Sequence, residues 1–209
     1  MTRHRLTRAL IALAVPALLV PALATSATAD PGPSATPTLA QVAEIYPHLD
    51  GGTADATHEK VYEPSKSCKD GDPIKGASSK TVTYSAPMDS PSDYEVTGAK
   101  PSVAVSVVRL PSTKVARDYL AVGRVETKKC TDDDPHSKLT VTTIPFRVDG
   151  QHWGYRFRWT TKGSITIVNA LFARTGRTVV SVMSMSLEGR KAPSTPKTID
   201  LMRLALRTL

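Results

Sequence analysis

The stretch that decides the fold is residues 139–186, LTVTTIPFRVDGQHWGYRFRWTTKGSITIVNALFARTGRTVVSVMSMS. It contains four runs rich in β-branched and aromatic residues, separated by the pairs Asp149-Gly150, Lys162-Gly163 and Thr175-Gly176. Asp-Gly between two such runs is a strong signal for a two-residue hairpin loop. The other two pairs are weaker signals, because Lys and Thr rarely adopt the positive φ of a type I′ turn. The pattern predicts a four-stranded antiparallel meander.

Alternation assigns the two faces of this meander. With two residues in each loop, Phe146 lies opposite Trp153, Trp153 opposite Phe172, and Phe172 opposite Val179. A one-residue slip would scatter the apolar side chains over both faces, so the pattern favours this register. One face, here called the aromatic face, then collects Ile144, Phe146, Trp153, Tyr155, Phe157, Trp159, Val168, Phe172, Val179 and Met183.

The opposite face carries the candidate binding residues Arg147, His152, Arg156, Arg158 and Asn169, among aliphatic side chains. A plain solvent face would be more uniformly polar. The arginine fork grips carboxylate or phosphate while its stem packs on apolar neighbours. This face is therefore a candidate site for an anionic, partly apolar ligand. The alternative is that the N-terminal loop or a partner subunit covers its aliphatic part and leaves the arginines solvated.

The rest of the chain predicts an α+β fold. Strands are expected at 81–84 and 102–110, and Ser112 is a plausible cap for a helix to about Lys129. A short helix is expected at 39–46, and Thr195 is expected to cap a C-terminal helix. The predicted fold is an antiparallel sheet of about six strands, with two main helices packed on its aromatic face.

Residues 51–73 are polar and predict a long loop, which contains Cys68. The other cysteine is Cys130, directly after the predicted helix. In an oxidising compartment an even pair most simply forms one structural disulfide. A catalytic thiol or a metal pair is the alternative, but neither cysteine has C-x-x-C spacing.

The first 29 residues have the order of a secretory signal peptide. A basic start is followed by the apolar residues 9–24, and Ala27-Thr28-Ala29 fits a cleavage site after Ala29. Asp30 stands where a lipid-anchored protein would need cysteine, and the apolar run is shorter than the ~20 residues of a membrane span. We therefore expect a secreted protein without a stable membrane anchor, with a disordered leash at 30–38 and one domain at 39–209, loop-rich over 39–79.

Charge and motifs narrow the function classes. The net charge of +8 falls to +5 without the leader's three arginines, which supports solubility more than any particular partner. Nucleic-acid binding has little support, because the chain has no zinc-ligand spacing, ribonucleoprotein motif or long basic block. Loose attraction to anionic cell-wall polymers stays open.

No catalytic motif is present. The sequence has neither H-E-x-x-H nor G-x-S-x-G, so no catalytic residue is assigned. Residues 132–134 and His136 cluster three carboxylates with an imidazole. They lack the alternating ligands and the glycine of a calcium loop, so a solvated turn is the favoured interpretation. We expect no metal and no cofactor.

The layout resembles a known group. A helix ending in cysteine (STKVARDYLAVGRVETKKC, residues 112–130), a sheet containing WGYRFRW (153–159) and a terminal helix resemble exported actinobacterial proteins of the PknH-like sensor fold. That group is related to the extracellular domain of a mycobacterial serine/threonine kinase. The resemblance covers roughly residues 40–209 and implies a non-catalytic α+β domain with a groove for an unknown ligand. Family members typically have two disulfides, whereas two cysteines make only one; a kinase domain and a membrane helix are also absent here.

The sequence thus predicts an exported, non-enzymatic binding domain. Its partner would be a small molecule, an envelope polymer or an exported protein. Two alternatives remain open. One is a secreted hydrolase of wall polymers with unassigned carboxylates, because paired carboxylates can be far apart in sequence. The other is a protein-interaction or inhibitor module.

Overall fold

The structure is a computed structural model that describes residues 36–64, 71–87, 96–129, 138–161, 163–187 and 191–209, without the side chains of 126–129. The predicted signal peptide and its cleavage site after Ala29 lie outside these residues. So do Cys68, Cys130 and the acidic run at 132–136. The secretion signal and the disulfide therefore stay predictions.

Seven antiparallel strands form one sheet within the described residues, in the order β1-β2-β3-β7-β6-β5-β4. The strands are β1 Thr53–Glu59, β2 Ser78–Ser85, β3 Ser102–Arg109, β4 Lys138–Thr143, β5 His152–Thr161, β6 Ser164–Thr175 and β7 Thr178–Ser186. The helices are α1 Leu39–Ile45, a 3-10 turn Pro47–Leu49, α2 Thr113–Lys129 and α3 Thr195–Arg207. The predicted α+β class with an antiparallel sheet is confirmed, with one strand more than expected. No helix in the described part is long and apolar enough to cross a membrane.

Strand β1 lies inside the segment that the sequence predicted as a loop, so that prediction is wrong for 53–59. β1 pairs with β2 along its whole length, with Ala56 opposite Val82. Every β1 side chain is exposed. Sequence alternation reveals a strand only when one of its faces is buried, and β1 has no buried face to reveal.

The register of β5 with β6 is confirmed: Trp153 lies opposite Phe172, and Thr161 and Ser164 flank the two-residue turn. The register of β6 with β7 differs from the prediction by two residues. Gly176 and Arg177 form the turn, with Gly176 at φ +53°, and Phe172 lies opposite Ser181. Because side chains alternate with period two, a two-residue shift leaves every side chain on its predicted face.

The pairing of β4 with β5 differs by one residue, which changes faces. Val141, not Thr142, lies opposite Phe157, and the Ile144 amide donates to the Gly154 carbonyl at 2.8 Å. The next residue is Pro145, which has no N–H to continue the ladder. The predicted two-residue hairpin at Asp149-Gly150 is therefore wrong: residues 144–151 form a longer connection. Ile144 and Phe146 pack on the face opposite the aromatic face.

Helices cover both faces of the sheet, so the prediction that both main helices pack on the aromatic face is wrong. α2 lies on the aromatic face, where its residues Ala116, Tyr119 and Leu120 pack with Trp153 and Phe172. α1 and α3 lie on the other face, over an aliphatic core that includes Val42, Leu171, Val180, Val182, Leu201 and Met202. Both sheet faces are apolar, so each needs a cover.

The ends of the chain segments fit these positions. The Ser112 hydroxyl caps α2 as predicted, accepting from the Val115 amide at 3.2 Å. The cap of α3 is Ser194 rather than the predicted Thr195. Pro37, in the predicted leash, is buried, and its carbonyl accepts a hydrogen bond from the Tyr84 hydroxyl. Pro37 therefore packs against β2, within the span predicted as a leash.

Candidate functional site

Four of the five residues predicted to bind a ligand share a sheet face, but the five do not form one site. Arg156 and Asn169 are paired neighbours on β5 and β6, and Arg158 is the next residue on the same face of β5. His152 is four residues from Arg156, about 13 Å along the strand. Arg147 lies in the connection after β4. The structure therefore groups Arg156, Arg158 and Asn169 and separates the other two.

Asn169 is fully buried beneath the start of α3. Its Oδ1 accepts a hydrogen bond from Arg156 Nε at 2.9 Å. Its Nδ2 donates to the Pro193 carbonyl at 2.9 Å and to Thr198 Oγ1 at 3.4 Å. Buried amides are stable only when their polar atoms are paired. The Asn169 side chain is thus committed to holding α3 on the sheet.

A buried hydroxyl cluster extends this network under α3. Thr198 Oγ1 donates to the Ser194 carbonyl at 2.9 Å and lies 2.7 Å from Ser184 Oγ. The Tyr46 hydroxyl lies beside these two side chains but forms no hydrogen bond with the described residues. Burial raises the pKa of Tyr46, so its phenol stays protonated. The cluster joins α1, α3 and β7 at one point.

Arg156 is held in place from two sides. Besides its bond to Asn169, its Nη2 donates to Thr195 Oγ1 at 2.6 Å, at the first residue of α3. The side chain is half-buried. Two hydrogen bonds from one guanidinium fix its plane, so Arg156 presents its remaining donors in a defined direction.

Arg158 is the free member of the pair. It is exposed, and the described residues give it no hydrogen bond and no ion pair. It lies opposite Thr140 of β4 and Ile167 of β6. A hydroxyl and a buried aliphatic side chain therefore flank the guanidinium, the mixed environment predicted for this face.

Within the described residues, no acidic side chain forms an ion pair with Arg156 or Arg158. The first turn of α3 has no acidic residue, although helix N-termini favour negative charge. The ion pairs within the described part of the chain involve only Asp118 and Asp200. We call Thr140, Arg156, Arg158 and Thr195 the arginine surface. Its guanidinium groups and the N-terminus of α3 are both electropositive, so this surface favours binding of an anion.

His152 and Arg147 have local roles. The His152 Nδ1 lies 2.8 Å from the Gly150 carbonyl, and its ring contacts the Phe146 ring at a centroid distance of 5.0 Å. Arg147 is exposed in the same connection. Arg147 belongs to the connection between β4 and β5, and His152 is the first residue of β5, so both lie at the end of β5 away from Arg158.

The aliphatic part of the predicted site is closed. Leu171, Val180 and Val182 are fully buried under α1 and α3. The cover is therefore mainly the C-terminal helix, whereas the sequence suggested the N-terminal loop or a partner. The apolar spacing of residues 199–209 could have indicated this cover, but it does not say which sheet face the helix takes.

The aromatic face has its own organisation. Trp153 Nε1 donates to the Leu120 carbonyl, and the Tyr155 hydroxyl donates to the Arg124 carbonyl, each at 3.1 Å. Four residues of a helix and two of a strand both span about 6 Å, so the two bonds repeat along α2 and β5. Phe157 continues this row, half-buried against Val141 and the rest of the α2 core.

A metal site is not part of this arrangement. No group of three or more His, Cys, Asp or Glu side chains could hold a metal ion in the portion of the chain that the structure describes.

The contact that sequence reasoning missed is Thr195, which accepts a hydrogen bond from Arg156, 39 residues away in the sequence. No local pattern signals such a partner.

Comparison with known proteins gives a fold likeness. No protein-family model matches the chain, and no curated protein matches it. The crystal structure of the extracellular domain of PknH from Mycobacterium tuberculosis is similar, with a TM-score of 0.51 and 12% sequence identity. The similarity covers 83% of this chain and 92% of that domain.

A second solved structure is LpqN of Mycobacterium tuberculosis, described as involved in cell envelope biogenesis. It aligns with 75% of this chain and 82% of its own at 14% identity, with a TM-score of 0.26, too low to support an argument. The PknH likeness shows a shared fold and supports the predicted PknH-like sensor fold. It does not bear on the predicted actinobacterial origin.

Proposed function

We propose that this protein is an extracellular, non-catalytic binding domain of the sensor type, and that its arginine surface holds an anionic group of the ligand. The fold likeness to the PknH extracellular domain supports the class of domain. The leader predicted at residues 1–29 supports its location. The surface itself supports the chemistry of the ligand.

One observation carries the proposal: one of the two guanidinium groups is held by hydrogen bonds and the other is not. Arg156 is fixed by Asn169 and Thr195, while Arg158, two residues along the same face, has no partner among the described residues. A fixed donor costs little ordering entropy when a ligand binds, and a free one adapts to the ligand. Together they suit phosphate or carboxylate, which accept paired N–H donors.

The ligand class follows from this chemistry. Envelope polymers and many exported small molecules carry phosphate or carboxylate groups, and an exported protein would offer Asp or Glu side chains. Thr140, the exposed neighbour of Arg158 on β4, provides a hydroxyl contact, whereas Ile167 on the other side is buried. We therefore expect the arginine surface to hold the anionic group of the ligand.

Calorimetric titration tests the proposal with defined probes: a soluble peptidoglycan fragment that carries carboxylates, inorganic phosphate, and an uncharged oligosaccharide. Arg158→Ala should weaken binding of the anionic probes at least about tenfold, because a charge-assisted contact contributes about 1.5–3 kcal/mol. Arg156→Lys keeps the charge but loses the paired geometry, and should weaken binding less.

The matched control is Arg147→Ala, which removes an exposed arginine from the connection that precedes β5. Its affinity should equal that of the unmodified protein. Equal affinities of the Arg158→Ala and Arg147→Ala variants, or equal binding of charged and uncharged probes, would contradict the proposal. Thermal melts of each variant confirm that the fold is intact.

A further inference from the structure

Strand β1 is an edge strand of unusual exposure. It begins the sheet order, and all seven of its side chains are exposed. The outer row of its backbone N–H and C=O groups faces away from β2. Edge strands of natural proteins usually carry charged side chains (above all Lys), Pro or a bulge, which disfavour further pairing.

The two edges of the sheet differ in this respect. β4, the other edge, begins with Lys138 and is followed by Pro145. β1 is TADATHE, which has the acidic residues Asp55 and Glu59 but neither lysine nor proline, and Lys60 follows it. Its pairing with β2 is continuous over all seven residues, without a bulge. β1 therefore remains a regular template for another strand.

The charge pattern of β1 permits pairing with a second copy in one register. In an antiparallel pair of two β1 strands with the two-fold axis at Ala56, Asp55 lies opposite Thr57 of the other copy, and Glu59 lies opposite Thr53. All seven residues are paired and no like charges meet. A shift of the register by two residues in one direction places Asp55 opposite Asp55 of the other copy. A shift in the other direction places Asp55 opposite Glu59, so both shifts bring like charges together.

We infer that β1 is a self-association site, at which two copies of this chain pair their β1 strands in antiparallel orientation about Ala56. The contact is isologous and closes as a dimer. It joins two seven-stranded sheets through main-chain hydrogen bonds, the chemistry of β-strand addition. Four strands lie between β1 and β5 in the sheet, so this pairing leaves the arginine surfaces of both copies free.

Cysteine cross-linking tests the register with a matched control. Ala56→Cys places two thiols opposite each other at the two-fold axis, at a Cα separation that a disulfide spans. Ala54→Cys places the thiol on the same strand and the same face, but opposite His58 of the other copy. We expect rapid disulfide-linked dimer formation for Ala56→Cys and at most the background of the unmodified protein for Ala54→Cys.

Sedimentation velocity with charge variants tests the association without a cross-link. Thr57→Asp sets two Asp–Asp pairs across the axis and should weaken dimer formation about fivefold. The double variant Asp55→Lys with Thr57→Asp restores opposite charges and should recover the dimer. Asp55 and Thr57, the two positions of this design, are exposed, so the fold tolerates the changes.

Three results would overturn the inference. One is a monomer at every protein concentration up to about 1 mM. The second is equal cross-linking at positions 54 and 56. The third is open-ended assembly larger than a dimer, which would mean that β1 pairs with β4 of the next copy. These experiments contain none of the anionic probes of the arginine surface. A negative result here would therefore overturn the β1 dimer without contradicting the proposed ligand site.

Discussion

Arg156 Nε donates a hydrogen bond to Asn169 Oδ1 at 2.9 Å, which ties a half-exposed cation to a fully buried amide. Through Asn169 the same contact continues to the Pro193 carbonyl and to Thr198 of α3. The position of the guanidinium at the surface therefore depends on the buried attachment of the C-terminal helix.

Asn169→Ala should lower the free energy of unfolding by about 2–3 kcal/mol. The variant removes three hydrogen bonds and leaves the buried Pro193 carbonyl without its donor. Urea denaturation at neutral pH measures the change. Thr140→Ala, at an exposed position, is the control and should change stability by less than about 0.5 kcal/mol. A similarly small loss in Asn169→Ala would argue against the network.

The two bonds between β5 and α2 should differ in their contributions. Tyr155→Phe deletes one hydroxyl that donates to the Arg124 carbonyl and should cost about 1 kcal/mol. Trp153→Phe deletes the bond to the Leu120 carbonyl and also opens space beside the stacked Phe172 ring, so it should cost more, about 2–3 kcal/mol. Equal losses in chemical denaturation would contradict this ranking.

Gly154→Ala should destabilise the protein by about 1–3 kcal/mol through overpacking. A Cβ at Gly154 would lie 2.4 Å from Leu171 Cδ2 and 3.1 Å from the Ile144 carbonyl oxygen. The loss should come with local changes at Ile144, visible as faster amide hydrogen exchange. Stability equal to that of the unmodified protein would mean that Leu171 and Ile144 do not pack against Gly154 as described.

His48 should make stability depend on pH. Burial lowers the pKa of His48 below its ordinary value of 6.5, with Lys197 and Lys100 acting in the same direction and the bond to the Pro101 carbonyl opposing them. The unfolded chain then binds a proton more readily than the folded one. The stabilising contribution of neutral His48 is therefore complete above pH 6.5 and is lost as the pH falls towards its folded-state pKa.

The measurement is the free energy of unfolding at pH 7.5, 6.0 and 5.0 for the unmodified protein and His48→Gln. The glutamine variant keeps a donor for Pro101 and has no titration in this range. The unmodified protein should lose more stability than the variant on acidification. Parallel curves would contradict the assigned role of His48.

The sequence predicts the centre of the sheet better than its edges. The β5–β6 register was predictable because the sequence indicates a two-residue turn between the strands and both faces of the hairpin carry strong alternation; Thr161 pairs with Ser164 as this requires. The β4 register was not, because Pro145 ends the ladder inside an apolar run. β1 was not, because a strand exposed on both faces has no alternation.

The sequence predicts which sheet face carries the candidate site residues, but not what each of these side chains contacts. Alternation places Arg156, Arg158 and Asn169 together on one face, as the structure does. Whether a helix covers part of that face depends on contacts between residues far apart in sequence, such as Thr195 with Arg156. Asn169 was therefore predicted as a ligand contact, whereas its hydrogen bonds attach α3.

The central claim is that the arginine surface, rather than the aromatic face, contacts the anionic ligand. Arg158 and Trp159 are adjacent on β5 and point to opposite faces of the sheet. An NMR titration with the carboxylate-bearing peptidoglycan fragment follows the Nε–H of Arg158 and the indole N–H of Trp159 in the same spectrum. Our account predicts a large shift of the Arg158 signal with the Trp159 indole unchanged. A shift of the Trp159 indole with Arg158 unchanged would contradict it.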